Sequence, residues 1–167
     1  GGMNTNYPGG QIPSASACAA FNPNPGPYNL LCGNGSLGVN MSQLMIAPYL
    51  SWQITPGQSV GIAPVLAYQR FSAEGLQAFD NPVASTAMGS VTNNGNSDSW
   101  GGGVRIGYMG EFSKQFSLGV AWASKMSMGN FDEYKGLFAQ SGGFDIPSNF
   151  TIGIGVRPTE QWLLALD

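Results

Sequence analysis

The sequence is short of charge and has no long apolar run. Charged residues make up 9% of its 167 residues, against roughly 25% in a typical soluble domain. No stretch of about 18 consecutive apolar residues is present, so we expect no transmembrane helix. Low charge without a hydrophobic helix leaves two main classes, a membrane β-barrel or a low-complexity secreted protein.

Metal ligands and catalytic side chains are also scarce. The sequence has no histidine and only two cysteines, so zinc or haem would find almost no ligands. We therefore expect no metal site and no cofactor. A Ser-His nucleophilic arrangement cannot be built from these residues, and we expect no enzyme activity. The net charge of −3, without a basic patch, gives no reason to expect a nucleic-acid partner.

The two cysteines, Cys18 and Cys32, lie in a stretch rich in glycine, proline and asparagine. In an oxidising compartment they would pair and staple a surface loop. The alternative is two unpaired thiols. We expect the disulfide if the protein is exported.

Several segments alternate large apolar residues with small ones. In 98–128, one face carries Trp100, Val104 and Ile106, and later Trp122, while the opposite face is mostly glycine and alanine. A period of two indicates β-strands. A soluble sheet would show charge on its outer face. Here the large apolar face and the small-residue face are typical of a transmembrane barrel, with lipid on one side and a lumen on the other.

The connections between these segments alternate in length, as they do in outer-membrane barrels, where turns are short on one side and loops long on the other. The competing class is a soluble β-sandwich, whose loops need not alternate. We predict an all-β fold, an antiparallel transmembrane β-barrel. The segments are 1–39 (extracellular loop), 40–71 (hairpin), 72–97 (extracellular loop), 98–128 (hairpin), 129–147 (extracellular loop) and 148–167 (start of a hairpin).

These segments supply about six strands, and the smallest membrane barrels have about eight. We therefore expect the remaining strands to lie outside the chain. The sequence has no initiator methionine and no signal peptide. We interpret it as an internal piece of a longer protein.

Four stretches resemble the FadL/TodX family of outer-membrane transport proteins, and the likeness spans most of the chain. They are SQLMIAP at 42–48, SVGIAPVLAYQRF at 59–71, KGLFAQSGGFDIP at 135–147 and GGMNTNYP at 1–8. The resemblance implies a fourteen-stranded barrel with an N-terminal hatch in the outer membrane of a Gram-negative bacterium. It implies porin-like, passive uptake of hydrophobic compounds, such as long-chain fatty acids or aromatic hydrocarbons. The loops at 72–97 and 129–147 would shape an outer capture groove.

The resemblance also assigns a role to Arg70 and Phe71. Family members that carry fatty acids have an Arg-Phe pair here, which implies that Arg70 meets the carboxylate. The alternative is that Arg70 lies at the headgroup interface and contacts lipopolysaccharide. Strict alternation from Ile62 directs Arg70 outward, whereas a bulge at Pro64 would reverse the parity.

The long loops carry more apolar residues than solvated loops need, and exposed apolar clusters usually mark binding surfaces. We predict that these residues form the capture groove; the alternative is that they pack together as loop cores. They are Leu76, Phe79, Phe131, Tyr134, Leu137, Phe138, Phe144 and Ile146.

Arg105, Lys125 and Arg157 share the small-residue face, so we predict that they face the lumen. They either meet the hatch or the solute, or pair with acidic residues elsewhere in the barrel. Pro48 and Pro64 lie nearly opposite each other, and each removes a ladder donor. This pair is either a weak point usable as a lateral exit or a tolerated bulge.

These features favour a passive outer-membrane channel for hydrophobic molecules. The alternative function is a structural or adhesin-type barrel without a specific ligand. The expected partners are hydrophobic small molecules, outer-membrane lipid and lipopolysaccharide. We expect a monomer when the barrel is complete.

Overall fold

The computed structural model describes every residue from Gly1 to Asp167. Nine strands dominate it. They are β1 Gly2–Tyr7, β2 Leu37–Ile46, β3 Leu50–Thr55, β4 Gln58–Glu74, β5 Ser97–Glu111, β6 Phe116–Ala123, β7 Ser127–Met128, β8 Asn149–Thr159 and β9 Trp162–Leu166. Three 3-10 turns (Ala17–Ala20, Gln77–Phe79, Asp132–Tyr134) and one short helical segment, Ala139–Gly142, complete the structure. None of these helical segments has the length and apolar character needed to span a membrane.

The strands form one sheet in the order β1-β2-β4-β5-β6-β8-β9, with β3 also paired to β4 and β7 to β5. Neighbours in the sheet are largely neighbours along the chain, and the pairs β5/β6, β6/β8 and β8/β9 are antiparallel. The prediction of an all-β, antiparallel fold is confirmed.

Side-chain size sets the register of these strands. In the β6/β8 pair, Trp122 lies opposite Phe150, and Gly119 lies opposite Gly153. Residues directly opposite each other in an antiparallel pair share a face, so large residues gather on one face and small ones on the other. A slip of one residue would mix the two sets, which fixes the register.

The N-terminal residues correct one expectation. Residues 2–7 were predicted to belong to a loop, but Gly2–Tyr7 forms β1 and pairs with β2, which begins at Leu37. Met3 lies opposite Met41 and Tyr7 opposite Leu37. The polar Asn-Thr-Asn sequence has low strand propensity, but pairing with a neighbouring strand overrides propensity.

The predicted strand over 40–54 is interrupted. β2 ends at Ile46 and β3 begins at Leu50, so Pro48 lies in the break. Leu50 pairs with Ile62, and continuing that register by two residues places Pro48 opposite Pro64. Since neither proline can donate to the ladder, pairing stops here on the β2/β3 side, whereas β4 continues through Pro64.

The chain divides into two compact units. We call one the loop unit (1–44, 68–100 and 128–144) and the other the strand unit (45–67, 101–127 and 145–167). The loop unit contains most of the buried apolar residues. It also contains the first long connection (8–36), the second (75–96) and most of the third (129–148). The strand unit contains the short turns and the regular hairpins.

A disulfide and the buried amide of Asn29 hold the first long connection of the loop unit. Cys18 and Cys32 form a disulfide with their Cα atoms 5.0 Å apart. Asn29 is fully buried; its Nδ2 donates to the carbonyl of Gly75 at 2.9 Å, and its Oδ1 accepts from the backbone N–H of Leu31 and of Gly33. These bonds tie the connection to the end of β4.

Replacing Asn29 with alanine is expected to destabilise the protein by about 2–3 kcal/mol, because buried backbone groups lose their partners. Urea unfolding of the full-length protein, followed by tryptophan fluorescence, measures the change. Asn40→Ala is the matched control, since Asn40 is exposed on β2. Equal stability of the two variants would show that the Asn29 bonds do not hold the connection.

Candidate ligand site

Five aromatic rings pack together in the loop unit, and we call them the aromatic cluster. The ring centroid of Phe71 lies 5.6 Å from that of Phe131, 5.0 Å from that of Tyr134 and 4.8 Å from that of Phe138. Phe138 also lies 5.5 Å from Phe131 and 5.4 Å from Phe144. These spacings are those of favourable tilted and edge-to-face pairs.

The inner half of the aromatic cluster is a closed core. Phe131 and Tyr134 are completely buried and Phe71 is 4% exposed. The hydroxyl of Tyr134 donates to the carbonyl of Gly95 at 2.5 Å and accepts from the backbone N–H of Ala73 at 3.2 Å. These two bonds join the third long connection to β4, through Ala73, and to the end of the second long connection, through Gly95.

The outer half of the cluster is open. Phe144 is 41% exposed and Phe138 is partly buried. Further partly buried apolar side chains pack against the core that contains Phe71, Phe131 and Tyr134. Together with these two rings they form what we call the apolar surface: Leu37, Val39, Met41, Leu137, Phe138 and Phe144. Partly exposed apolar side chains gathered around one core can bind hydrophobic molecules or another apolar chain.

A strained turn shapes this part of the loop. Gln140 and Ser141 have φ values of 54° and 59°, in the left-handed region, and Gly142 has a φ of 106°. A Cβ on Gly142 would lie 2.7 Å from the carbonyl oxygen of Phe131. The turn therefore requires glycine there. It brings the chain back so that the Phe131 N–H donates to the Gly142 carbonyl at 2.9 Å.

The predicted binding residues fall into three groups. Leu76, Phe71, Phe131 and Tyr134 lie in the core, which matches the alternative interpretation of loop residues that pack on each other. Phe79 is 43% exposed and makes no ring contact with the aromatic cluster. The third group, Leu137, Phe138 and Phe144, lies on the apolar surface.

Arg70 lies on the opposite face of β4 from Phe71. Burial alternates along the strand, with Ile62, Leu66 and Arg70 exposed, so no bulge at Pro64 reverses the parity. The Nε atom of Arg70 lies 2.8 Å from Oδ1 of Asp98, and a second guanidinium nitrogen lies 3.2 Å from Oδ2. Arg70 is therefore paired with a carboxylate already and does not join the aromatic cluster.

Two aromatic residues flank this ion pair. The hydroxyl of Tyr68 donates to Asp98 at 2.7 Å, and the rings of Tyr68 and Trp100 lie 4.7 Å apart. Aromatic rings beside a charged pair, on a face that otherwise carries apolar side chains, are typical of a membrane interface.

The three predicted lumen residues all lie in the strand unit. Lys125 pairs with Asp145, with Nζ 2.7 Å from Oδ2. Arg105 lies opposite Ala123 and shares its face with Gly107. On that face the small residues leave a groove of about 410 Å³. Its lining includes Gly61, Gly107, Gly119, Ala121 and Gly153. None of the three predicted lumen residues, Arg105, Lys125 and Arg157, lines this groove.

The site also contains residues that the sequence did not indicate. Leu37 and Val39 alternate with Gly38 just before the predicted strand, and this alternation extends the strand pattern toward the N-terminus. Gln69 is completely buried on the face of β4 that carries Phe71. The one sequence signal for Gln69 is its position next to Arg70: if Arg70 points outward, Gln69 points inward.

The antiparallel sheet and its side-chain alternation define part of a β-barrel. No protein-family model matches the sequence, and no curated protein matches it. Among solved structures, the chain is similar to the crystal structure of the toluene transporter TodX from Pseudomonas putida, with a TM-score of 0.56 and 16% identity over 98% of this chain and 48% of that one. At this identity the likeness shows the fold alone, and the chain spans about half the length of that neighbour.

Tyr134→Phe is expected to lower the free energy of unfolding by about 1–3 kcal/mol, chiefly because the buried backbone N–H of Ala73 loses its partner. The matched control is Tyr7→Phe, because Tyr7 is 52% exposed. Denaturant unfolding of both variants in the same lipid measures the difference. If the two variants lose equal stability, the hydroxyl of Tyr134 does not hold the third connection to the sheet.

Proposed function

We propose that the protein is a passive outer-membrane channel for hydrophobic molecules, and that the apolar surface of the loop unit captures them. The observation that supports this most directly is the apolar surface itself, since Phe144 is exposed and Phe138 is only partly buried beside a closed core. The fold similarity to a toluene transporter agrees with it. Long-chain fatty acids and aromatic hydrocarbons are the proposed solute classes.

Capture on this surface needs no chemical step. An apolar solute gains roughly 25 cal/mol for each Å² of apolar surface removed from water, and so do the rings it covers. Phe138 and Phe144 supply flat, partly exposed rings for this purpose. Because the contact is non-directional, the bound solute can also leave, which passive passage requires. The small-residue groove of the strand unit offers room for solutes of the same class.

The exposed large residues support a location in the bacterial outer membrane. Trp52, Ile106, Trp122 and Phe150 are between 40% and 61% exposed, on strand faces that would contact lipid in a barrel. Arg70 and Asp98, with Tyr68 and Trp100, would contact lipid headgroups and lipopolysaccharide. We propose a monomer that needs no nucleic acid and no cofactor.

Replacing Phe138 and Phe144 together with serine is expected to lower uptake of a dilute hydrophobe by about five- to tenfold, because one exposed ring and one partly exposed ring leave the capture surface. Uptake of labelled toluene and of labelled oleate by cells that express the full-length protein measures the effect and separates the two solute classes. Phe112→Ser is the control, since Phe112 is 55% exposed in a short turn.

Unchanged uptake in the double variant, with wild-type amounts in the outer membrane, would exclude capture by these rings. Equal uptake by wild-type cells and by cells without the protein would exclude the channel function altogether. That second result would favour the structural or adhesin-type barrel, for which the closed packing of Phe131 and Tyr134 is the supporting observation.

Arg70→Gln is expected to leave oleate uptake within about twofold of wild type. Arg70 lies on the face opposite the aromatic cluster, and its guanidinium already binds Asp98. The same uptake assay, with Phe138→Ser as the positive control, gives the comparison. A large loss of oleate uptake with toluene uptake preserved would assign Arg70 the carboxylate-binding role that the family resemblance implies.

A further inference from the structure

Gln69 carries an unpartnered amide in the interior of the loop unit. Its side chain is completely buried, and neither its Nε2 nor its Oε1 atom has a hydrogen-bond partner in the protein. Buried polar side-chain atoms are nearly always hydrogen-bonded, so such a group calls for a specific explanation. Leaving an amide unpaired costs on the order of 1–3 kcal/mol.

The neighbouring side chains do not satisfy this amide. The contacts of Arg70 with Asp98 and of Tyr68 with Trp100 align β4 with β5, and that alignment puts Gln69 beside Ser99. The hydroxyl of Ser99 donates to the Gly129 carbonyl at 2.6 Å. The next hydroxyl on that face of β5, on Ser97, donates to the carboxylate of Glu133. Neither of these hydroxyl groups therefore donates a hydrogen bond to the Gln69 amide.

The amide lies next to the aromatic cluster. Gln69 and Phe71 are two residues apart on one face of β4, which is roughly 7 Å along a strand. Phe71 contacts Phe138, a member of the apolar surface, with ring centroids 4.8 Å apart. A molecule with its apolar part on Phe138 and Phe71 could place one polar group at Gln69.

We propose that Gln69 is a specificity-determining residue, which binds the polar group of a hydrophobic molecule that carries one neutral hydrogen-bonding group, such as an alcohol or a phenol. The inference rests on the proposed capture of hydrophobic molecules by the apolar surface. An amide both donates and accepts, as a hydroxyl does, so one hydroxyl can satisfy either of its atoms.

The charge distribution favours a neutral group over a carboxylate. Arg70 points away from this face and is paired with Asp98, and Glu133 accepts from Ser97 on the same side as Gln69. A carboxylate buried here would have no cation and would lie near another acid, which is costly. A hydroxyl carries no such penalty.

Access to Gln69 requires the covering loop to move. The turn that follows Phe138 contains Gln140 and Ser141 in the left-handed region, which is strained for residues with a side chain. The ring of Phe138 lies over Phe71, so a solute that approaches from the apolar surface reaches Phe71 by displacing Phe138. Because Gln69 is completely buried, a solute reaches it only after a covering side chain has moved.

The test compares three probes that differ only in the polar group: butylbenzene, 4-phenylbutan-1-ol and 4-phenylbutanoate. Uptake is measured in cells that express the full-length protein, against cells without it. The variant is Gln69→Met, which keeps the length of the side chain and removes the amide. Gln53→Met is the matched control, because Gln53 is exposed on β3.

We expect wild type to take up the alcohol faster than the carboxylate. Gln69→Met should lower uptake of the alcohol by about three- to tenfold, the value of one or two hydrogen bonds, and leave butylbenzene unchanged. The variant should also resist urea at least as well as wild type, since a buried unpaired amide is gone. Gln53→Met should change neither uptake nor stability.

Two results would overturn the proposal. An equal fall for the alcohol and butylbenzene would give Gln69 a purely structural role, and no change for either would mean that its amide does not meet the solute. If wild type takes up none of the probes above background, the proposed channel function fails first, and this inference fails with it. If butylbenzene is taken up normally and only the selectivity change is missing, the channel function stands and the role of Gln69 does not.

Discussion

The matching of side-chain size across neighbouring strands is the constraint on which the rest of the structure depends. Where Trp122 meets Phe150 and Gly119 meets Gly153, only one register keeps each face uniform. That register leaves one face rich in large apolar groups and the other open enough for a groove. It also decides which way every polar side chain on these strands points, and therefore which surface each one can serve.

The long connections have no repeating side-chain pattern, so alternation does not determine their conformation. Their conformation follows from a few buried anchors: the rings of Phe71, Phe131 and Tyr134, the hydroxyl of Tyr134 and the amide of Asn29. These anchors fix the base of the loops and leave Phe138 and Phe144 at the edge. A rigid base with an open apolar edge can meet solutes of varied shape, because the edge itself makes no directional bond.

The sequence predicted the sheet because alternation is a local property. The hairpin at 98–128 shows the period of two within a few residues, and the all-β, antiparallel fold is confirmed. β1 was missed because its residues form a strand only through their pairing with β2, which no local pattern reveals. The break at Pro48 follows from the lost donor, which the sequence shows directly.

The candidate site was less predictable, because burial in loops depends on contacts between distant residues. The sequence identified the aromatic residues of the loops but could not separate Phe131, which is closed off, from Phe144, which is open. For Arg70, the alternation of β4 indicated the outward direction that the structure has, whereas the motif resemblance suggested a ligand contact. Gln69 had no signal of its own.

The strict alternation of β4 has a consequence for how such a protein can change over time. Inserting or deleting one residue near Pro64 would rotate the rest of the strand by half a turn. The guanidinium of Arg70 would then enter the interior and the amide of Gln69 would leave it. A single codon gained or lost would thus exchange a neutral interior for a cationic one, and it would also turn Phe71 out of the core that anchors the long connections.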